Sequence, residues 1–463
     1  MNENPQRRTN PRRRQPPKRQ MDLIPVIAIL IAVLIAVVFT AALFTYGLIG
    51  GSRENNAVIQ STQPTTQPME PSTAPTEPED PGVTVTGTAT LGATGDMLMH
   101  MPCVNPALQS DGTYDFGTYF ANFSAYVQAV DYAVANLETT LAGTAYKYSG
   151  YPQFNCPDGI IPSLKSAGFD MMLTANNHTY DTLSTGFFRT QEIIAQYGMD
   201  HIGTKPDAET DSYLIKNING IRVGMVCYTY ETNENPDKID LNGGTDLKED
   251  EEPLINVFLK NDVEGFSADL AEKVSDMRAD GAEAIVLYIH WGEEYQTKQN
   301  SQQKAMAQAA CDLGVDVIVG GHPHVIQPLD LLTSSTDSSH KTVCLYSTGN
   351  ALSNQRIEHM NLKTGHTEDG IFFSFTLVKY SDGTVRVEGV EVLPLWINLH
   401  TSTGKTVYDI LPLDKAVTDW KTAYKLTDST LTQANNSYDR TMKIVGSGLE
   451  KIEQYLDSLP EVE

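Results

Sequence analysis

Along most of the chain, short runs of apolar and β-branched residues alternate with longer segments in which apolar positions recur every three or four residues. That order is expected of a layered α/β domain. Strands are predicted at 85–94, 131–135, 170–174, 221–228, 284–289, 315–319 and 343–347. Phe266, Leu270, Val274 and Met277 form one stripe of a predicted helix over 264–280 that stops at Asp280-Gly281, and further helices are expected at 158–167, 184–197 and 301–313. The runs FFSFTLVKY (372–380) and TVRVEGVEVLPL (384–395), joined through Ser381-Asp382-Gly383, read as a hairpin. Residues 231–252 hold nine acids, two lysines and a Gly-Gly pair and read as a surface loop or lid, whereas TMKIVGSGLEKIEQYLDSL near the C-terminus reads as a helix.

The pattern is different at the N-terminus. Leu23 to Ser52 is thirty residues without a charge, and about twenty suffice to cross the hydrocarbon core as a helix. Seven basic residues (Arg7, Arg8, Arg12, Arg13, Arg14, Lys18 and Arg19) precede it and Arg53 alone follows closely, so the positive-inside rule leaves the N-terminus in the cytoplasm. A cleaved signal would have an apolar core of only about 7 to 15 residues, and an uncleaved anchor is expected instead. The Thr, Pro, Gln, Ser and Glu of residues 51–81 cannot bury enough apolar surface to fold. The expected organisation is therefore a basic cytoplasmic tail (1–22), a transmembrane helix (23–50), a Pro/Thr-rich disordered linker (51–84), a folded extracellular domain (85–400) and a partly helical C-terminal extension (401–463). A single-pass bacterial cell-membrane protein follows, attached to the lipid bilayer by that helix.

Charge narrows the partners. The 463 residues carry 33 basic and 58 acidic side chains, a net −25, and no basic patch follows Arg19. Such a surface repels phosphate backbones, so no nucleic-acid partner is expected. Five scattered cysteines make neither a disulfide framework nor a thiolate metal site. Cys227, Cys311 and Cys344 lie in apolar runs and read as core, which leaves Cys103 and Cys156 as a disulfide candidate outside the cell.

The chemistry-bearing residues fall at the C-terminal ends of predicted strands, where open sheets place ligands. TLGATGDMLMH delivers Asp96, with Gly92 and Gly95 expected to tighten a turn, and YAVANLET delivers Asn136 and Glu138. MMLTANNHTYD delivers Asn176, Asn177, His178 and Asp181, IVLYIHWGEEY delivers His290, and VIVGGHPHVIQP delivers His322 and His324 behind a Gly-Gly pair that lets backbones approach. A lone histidine after a strand is more often a satisfied polar residue, but five such strand ends in one chain point to a metal centre. Imidazoles mixed with carboxylates and amides suit divalent transition metals better than Ca or Mg.

The series Asp, Glu, Asn-His, His, Gly-His-x-His resembles the calcineurin-type metallophosphoesterase superfamily. The forms NLET, ANNHTYD, YTYETN, HWGEEY, GGHPHVIQP and YSTGN resemble the CapA family of poly-γ-glutamate capsule synthesis proteins, over about residues 86–395. The resemblance implies a four-layer α/β/β/α sandwich of metallophosphoesterase type holding one or two ions, Mn, Fe or Zn. It implies Asp96 as a ligand, Glu138 as the bridge, Asn177, His290 and His322 around one ion, and His324 at the other. His178 would be the proton donor or phosphate-binding group and Asp181 the residue that orients its ring. The superfamily's usual histidine two residues after the aspartate is here Leu98, with His100 two further on. The implied role is capsule or surface-polymer biogenesis, with an anionic surface polymer or its membrane synthase as partner and metal-dependent hydrolysis as the chemistry. A phosphoesterase acting on nucleotides or envelope polymers and a non-catalytic accessory subunit of a synthase are the alternatives.

Overall fold

The nine strands and five helices predicted within residues 85–463 all form. The computed structural model describes residues 82–232, 238–402 and 404–459. The expected tail, transmembrane helix and nearly all of the linker lie outside them, and among the described residues no helix is long and apolar enough to cross a membrane. The fold is mixed α/β with two large sheets.

The strands of the first sheet that reach the centre are β1 (Val85–Leu98), β2 (Tyr132–Glu138) and β3 (Met171–Leu173), which run parallel and continue to β4 (Asp200–Ile202). The second sheet uses β5 (Leu214–Ile218), β6 (Ile221–Glu231), β9 (Val257–Leu259), β10 (Ala284–His290), β11 (Val317–Gly321), β12 (Leu329–Thr333) and β13 (Lys341–Leu345), with β6, β10, β11 and β13 parallel. Strand β14 (Asn350–Leu352) returns to pair with β1, followed by β15 (Asp369–Tyr380), β16 (Val385–Ser402) and β17 (Lys405–Pro412), which extend the first sheet antiparallel.

Strand alternation explains the packing. Val134 faces Val223, Met225, Val286 and Tyr288 in a core between the sheets. Its neighbours Ala133 and Ala135 face outward onto α1 (Ile160–Ala167) and α2 (Leu183–Gln196) through Ile160, Leu164, Ile193 and Ile194. Beyond the second sheet, the stripe Phe266, Leu270, Val274 and Met277 on α3 (Val263–Ala279) packs with Met306, Ala307 and Ala310 of α4 (Ser301–Asp312). Asp262 caps α3 by accepting from the Gly265 amide at 2.8 Å, and Asn300 with Gln303 closes a capping box on α4. The C-terminal extension forms α5 (Asp428–Leu456), whose Val445 and Ile452 reach the central core and whose Gly448 sits where a Cβ would meet the Leu329 carbonyl oxygen at 1.9 Å.

Three expectations need correction. Gly92 and Gly95 lie inside β1 and make no turn; an added Cβ would meet the Phe372 ring at 2.3 Å and the Gly349 carbonyl oxygen at 1.8 Å. Close approach, not a bend, requires glycine there. The acidic 231–252 segment is partly folded, with β7 (Asp240–Leu241) pairing β8 (Thr245–Asp246), because Leu241 and Leu247 anchor it in the central core. All five cysteines, Cys103 and Cys156 among them, are buried free thiols.

Candidate metal centre

The sheets meet where their parallel strands end. Asp96 lies near the C-terminal end of β1, Glu138 ends β2, Asn177 and His178 follow β3, His290 ends β10, and His322 and His324 follow β11. All are buried. His322 and His324 take left-handed φ of 94° and 55°, a conformation uncommon for a non-glycine residue and concentrated at functional sites. Gly320 and Gly321 make the approach possible, since a Cβ on Gly320 would meet the Tyr346 carbonyl oxygen at 2.0 Å and one on Gly321 the Asp96 carboxylate at 2.9 Å.

Four ligand atoms gather around His290. Its Nε2 lies 2.8 Å from Asn177 Oδ1, 3.2 Å from His322 Nδ1 and 3.6 Å from Glu138 Oε1. Ligand atoms about 2.0 to 2.1 Å from one tetrahedral ion stand about 3.3 to 3.4 Å apart, so this spacing is that of a shared shell. On the other side, His324 Nδ1 donates to Asp96 Oδ2 at 3.0 Å while its Nε2 stands 3.8 Å from Glu138 Oε1 and 3.9 Å from Glu294 Oε1. Asp96, Glu138 and His290 each offer a ligand atom within 4.8 Å of the others. This triad draws one member from each of the two implied ligand groups around the bridging Glu138.

The residues fit a cation by a direct observation: Glu138 Oε1 is buried without a hydrogen-bond partner, surrounded by imidazole nitrogens. Nearly every buried polar atom of a folded protein is satisfied, and a divalent ion would satisfy this one. Burial pushes the Asp96 carboxyl up, but the His324 hydrogen bond and the charges of His324 and His290 outweigh it and hold Asp96 below the ordinary range. Burial pulls His324 down, yet Glu138 and Asp96 push it up to about 9. His322, buried beside His290 and His324, is driven well below the ordinary imidazole value.

His178 and Asp181 form the expected pair. His178 Nδ1 donates to Asp181 Oδ2 at 2.7 Å, and Asp181 also accepts from the Phe154 amide at 2.6 Å and Asn242 Nδ2 at 2.8 Å. The ring is thereby fixed, edge-on to Phe154, with Nε2 left to act. Leu98 stands beside Glu138 in the β1–β2 register, and His100 Nδ1 lies 3.2 Å from the Leu98 carbonyl oxygen and 3.3 Å from the Asn354 amide nitrogen.

Sequence reasoning placed Asn136 and Asn176 at strand ends without a role and did not single out Asn350 or Tyr230, and these residues brace the ligands. Asn136 Nδ2 donates to Asp96 Oδ1 at 2.8 Å, and Asn176 Nδ2 donates to Asn136 Oδ1 at 3.1 Å. Asn350 Nδ2 donates to the His324 carbonyl at 3.2 Å and to that of Thr367 at 2.9 Å, which pins the His-Pro-His turn. Tyr230 covers His322 with ring centroids 4.7 Å apart. The strand-end asparagines were visible in ANNH, NLET and STGN, but only the tertiary structure separates a ligand amide from one that braces a carboxylate.

The profile of the family described as "Bacterial capsule synthesis protein PGA_cap" matches residues 90–355, a span that includes every residue of this centre. The chain is similar to the capsule biosynthesis protein CapA of Bacillus anthracis, 27% identical over 248 residues covering 51% of this chain and 54% of that protein. It is also similar to the PGA biosynthesis protein CapA of Bacillus subtilis strain 168, 26% identical over 279 residues covering 59% of this chain and 63% of that one. The chain thus spans between about half and two thirds of the length of these curated relatives.

Proposed function

The chain belongs to the CapA family of bacterial capsule synthesis proteins, and from that membership and the geometry above we propose a membrane-anchored envelope protein of capsule or surface-polymer biogenesis with metal-dependent hydrolase activity. Its finer architecture is an α/β/β/α sandwich of metallophosphoesterase type over residues 85–400. The basic tail, the helix at 23–50 and the linker hold that domain outside the cell, where an anionic polymer or its synthase is the partner. External protease on intact protoplasts should release the domain; full protection would overturn this orientation.

The observation that carries the reading is the unpartnered, buried Glu138 Oε1 with His290 Nε2 and His324 Nε2 beside it. Glu138, Asn177, His290 and His322 would hold one ion, and Asp96, Glu138 and His324 the other. Such ions lower the pKa of a bound water and stabilise charge that develops on the substrate. The protein's own contribution is orientation. Asn136 keeps the Asp96 carboxylate in place, and Asp181 fixes His178 so that Nε2 can deliver a proton to a leaving group. A braced, buried His-Asp pair beside the centre favours hydrolysis over the purely accessory role. The full chain should retain one to two equivalents of Mn, Fe or Zn, and H322A/H324A should empty it. Wild-type protein that takes up no transition metal on reconstitution would sink the proposal.

A further inference from the structure

A second cavity, of about 770 Å³, opens between the β16–β17 hairpin, the segment 106–122 and the turn before α5. Ligand pockets commonly run from roughly 300 to 1,000 Å³. None of its lining residues belongs to the metal centre, and its hairpin and α5 walls lie beyond the residues that the family profile matches. In the register Asn398 pairs with Asp409, His400 with Val407 and Ser402 with Lys405, so strand alternation turns these side chains to one face.

The polar groups there divide into engaged and unengaged. Asp409 accepts from His400 Nε2 at 2.7 Å and Asp115 from the Gly117 amide at 2.8 Å, so both acids of the lining already have partners. Lys405 and Lys425 have no side-chain partner among the described residues. In a chain with net charge −25, the unpaired charges of this cavity are positive. Asn398 is 4% exposed, and its Oδ1 is buried without a hydrogen-bond donor. A buried acceptor left unmatched is costly, and a ligand N–H would match it.

We infer that this cavity binds an anionic chain with amide linkages, one amide N–H donating to Asn398 Oδ1 and the chain's carboxylates facing Lys405 and Lys425. Only the amide of such a chain supplies an N–H donor, whereas an ionised carboxylate offers acceptors alone, which favours a polyamide over a simple carboxylic acid. The inference deepens the capsule-polymer reading and rests on it for the choice of a glutamyl chain, whereas the donors and acceptors of the cavity stand without it. The wall is also tied to the loop beside the centre: Tyr408 Oη donates to Asn354 Oδ1 at 2.7 Å, and the Asn354 amide donates to His100 Nδ1.

The test is fluorescence-polarisation binding of labelled γ-linked and α-linked glutamate octamers to the full chain. K405E/K425E, both exposed positions, should weaken binding of the γ-linked octamer at least tenfold, and N398L at least fivefold with an unchanged melting curve. A control pair of exposed lysines elsewhere, K304E/K443E, should leave it within twofold, and the centre variant H322A/H324A is measured beside it to separate binding at the centre from binding in the cavity. Binding by K405E/K425E within twofold of wild type overturns the inference, as does an equal loss in K304E/K443E. Loss confined to H322A/H324A, or no binding of either octamer, overturns it too. If the α-linked octamer alone binds, with the same dependence on the two lysines, the cavity stands and the capsule-polymer reading falls. Should N398L not fold, the lysine pairs carry the decision alone.

Discussion

Glu138 and Asp369 are carboxylates of the same sheet, both buried, and they are satisfied in opposite ways. Asp369 opens β15 and clamps α5, accepting from Arg440 Nε at 2.7 Å, Arg440 Nη2 at 2.6 Å and Ser437 Oγ at 2.6 Å. Burial pushes it up to about 6, with Arg440 and Ser437 pulling the other way. Glu138 ends β2 with one oxygen 3.4 Å from Asn136 Nδ2 and the other facing two imidazoles and no donor. Burial alone therefore does not mark a functional acid. A buried oxygen left unmatched and faced by imidazole nitrogens does, because folding gains nothing from it and a cation can.

The largest expected effect breaks the closed pair. Removing one partner of a buried ion pair costs about 3–5 kcal/mol, since the other charge is left uncompensated. R440A should therefore destabilise the protein by that amount in denaturant unfolding, while metal content per folded molecule is unchanged. E138Q should do the reverse: metal retention collapses, while the metal-free protein loses less stability than R440A does, because Glu138 Oε1 accepts no hydrogen bond that the amide would forfeit. Equal destabilisation by the two variants, or a metal-loaded E138Q protein, would erase the distinction.

The open group was legible in the sequence and the closed one was not, for a physical reason. Asp96, Glu138, Asn177, His290, His322 and His324 each follow a short apolar run, so the strand pattern that predicts the sheet also predicts their meeting at its edge. Asp369 and Arg440 are 71 residues apart, and nothing in the local pattern of either announces the other. The same limit hid Asn242, which reaches Asp181 from the acidic segment, and the short strands β4, β9 and β14, whose pairing partners are not adjacent in sequence. Residues that act through their own strand can be read in advance; residues that act through a distant partner cannot.

A smaller effect sharpens the picture inside the centre. The group around His290 offers Glu138, Asn177, His290 and His322, whereas the group around His324 offers only Asp96, Glu138 and His324, with Leu98 beside Glu138 where a further imidazole would stand. The two ions should bind unequally, which a titration of the metal-free protein reads as one tight and one weak step. L98H should tighten the weak step about tenfold, equivalent to about 1.4 kcal/mol. Two equal steps in the unaltered protein would mean that another residue completes the second group.

The smallest effect concerns Glu231, at the end of β6, a buried acid intermediate between the two cases. Like Glu138 it has an oxygen without a donor, but its neighbours are Asp240, which also has an unmatched oxygen, and Glu252, where Glu138 has imidazoles. Burial and these two negative charges push Glu231 up to about 7. A carboxyl whose folded pKa is raised favours the protonated native state, so the stability it contributes is present below its ordinary value near 4.5 and is lost as pH rises toward about 7. E231Q keeps the shape and removes the proton that moves. The variant should flatten the fall in unfolding free energy between pH 4.5 and 7 and be more stable than wild type by about 1 kcal/mol at pH 8. An unchanged pH slope would overturn the assignment to Glu231. Bound Ca or Mg that steepens the difference between E231Q and wild type would move Glu231 from the unmatched structural acids to the ligand-binding ones.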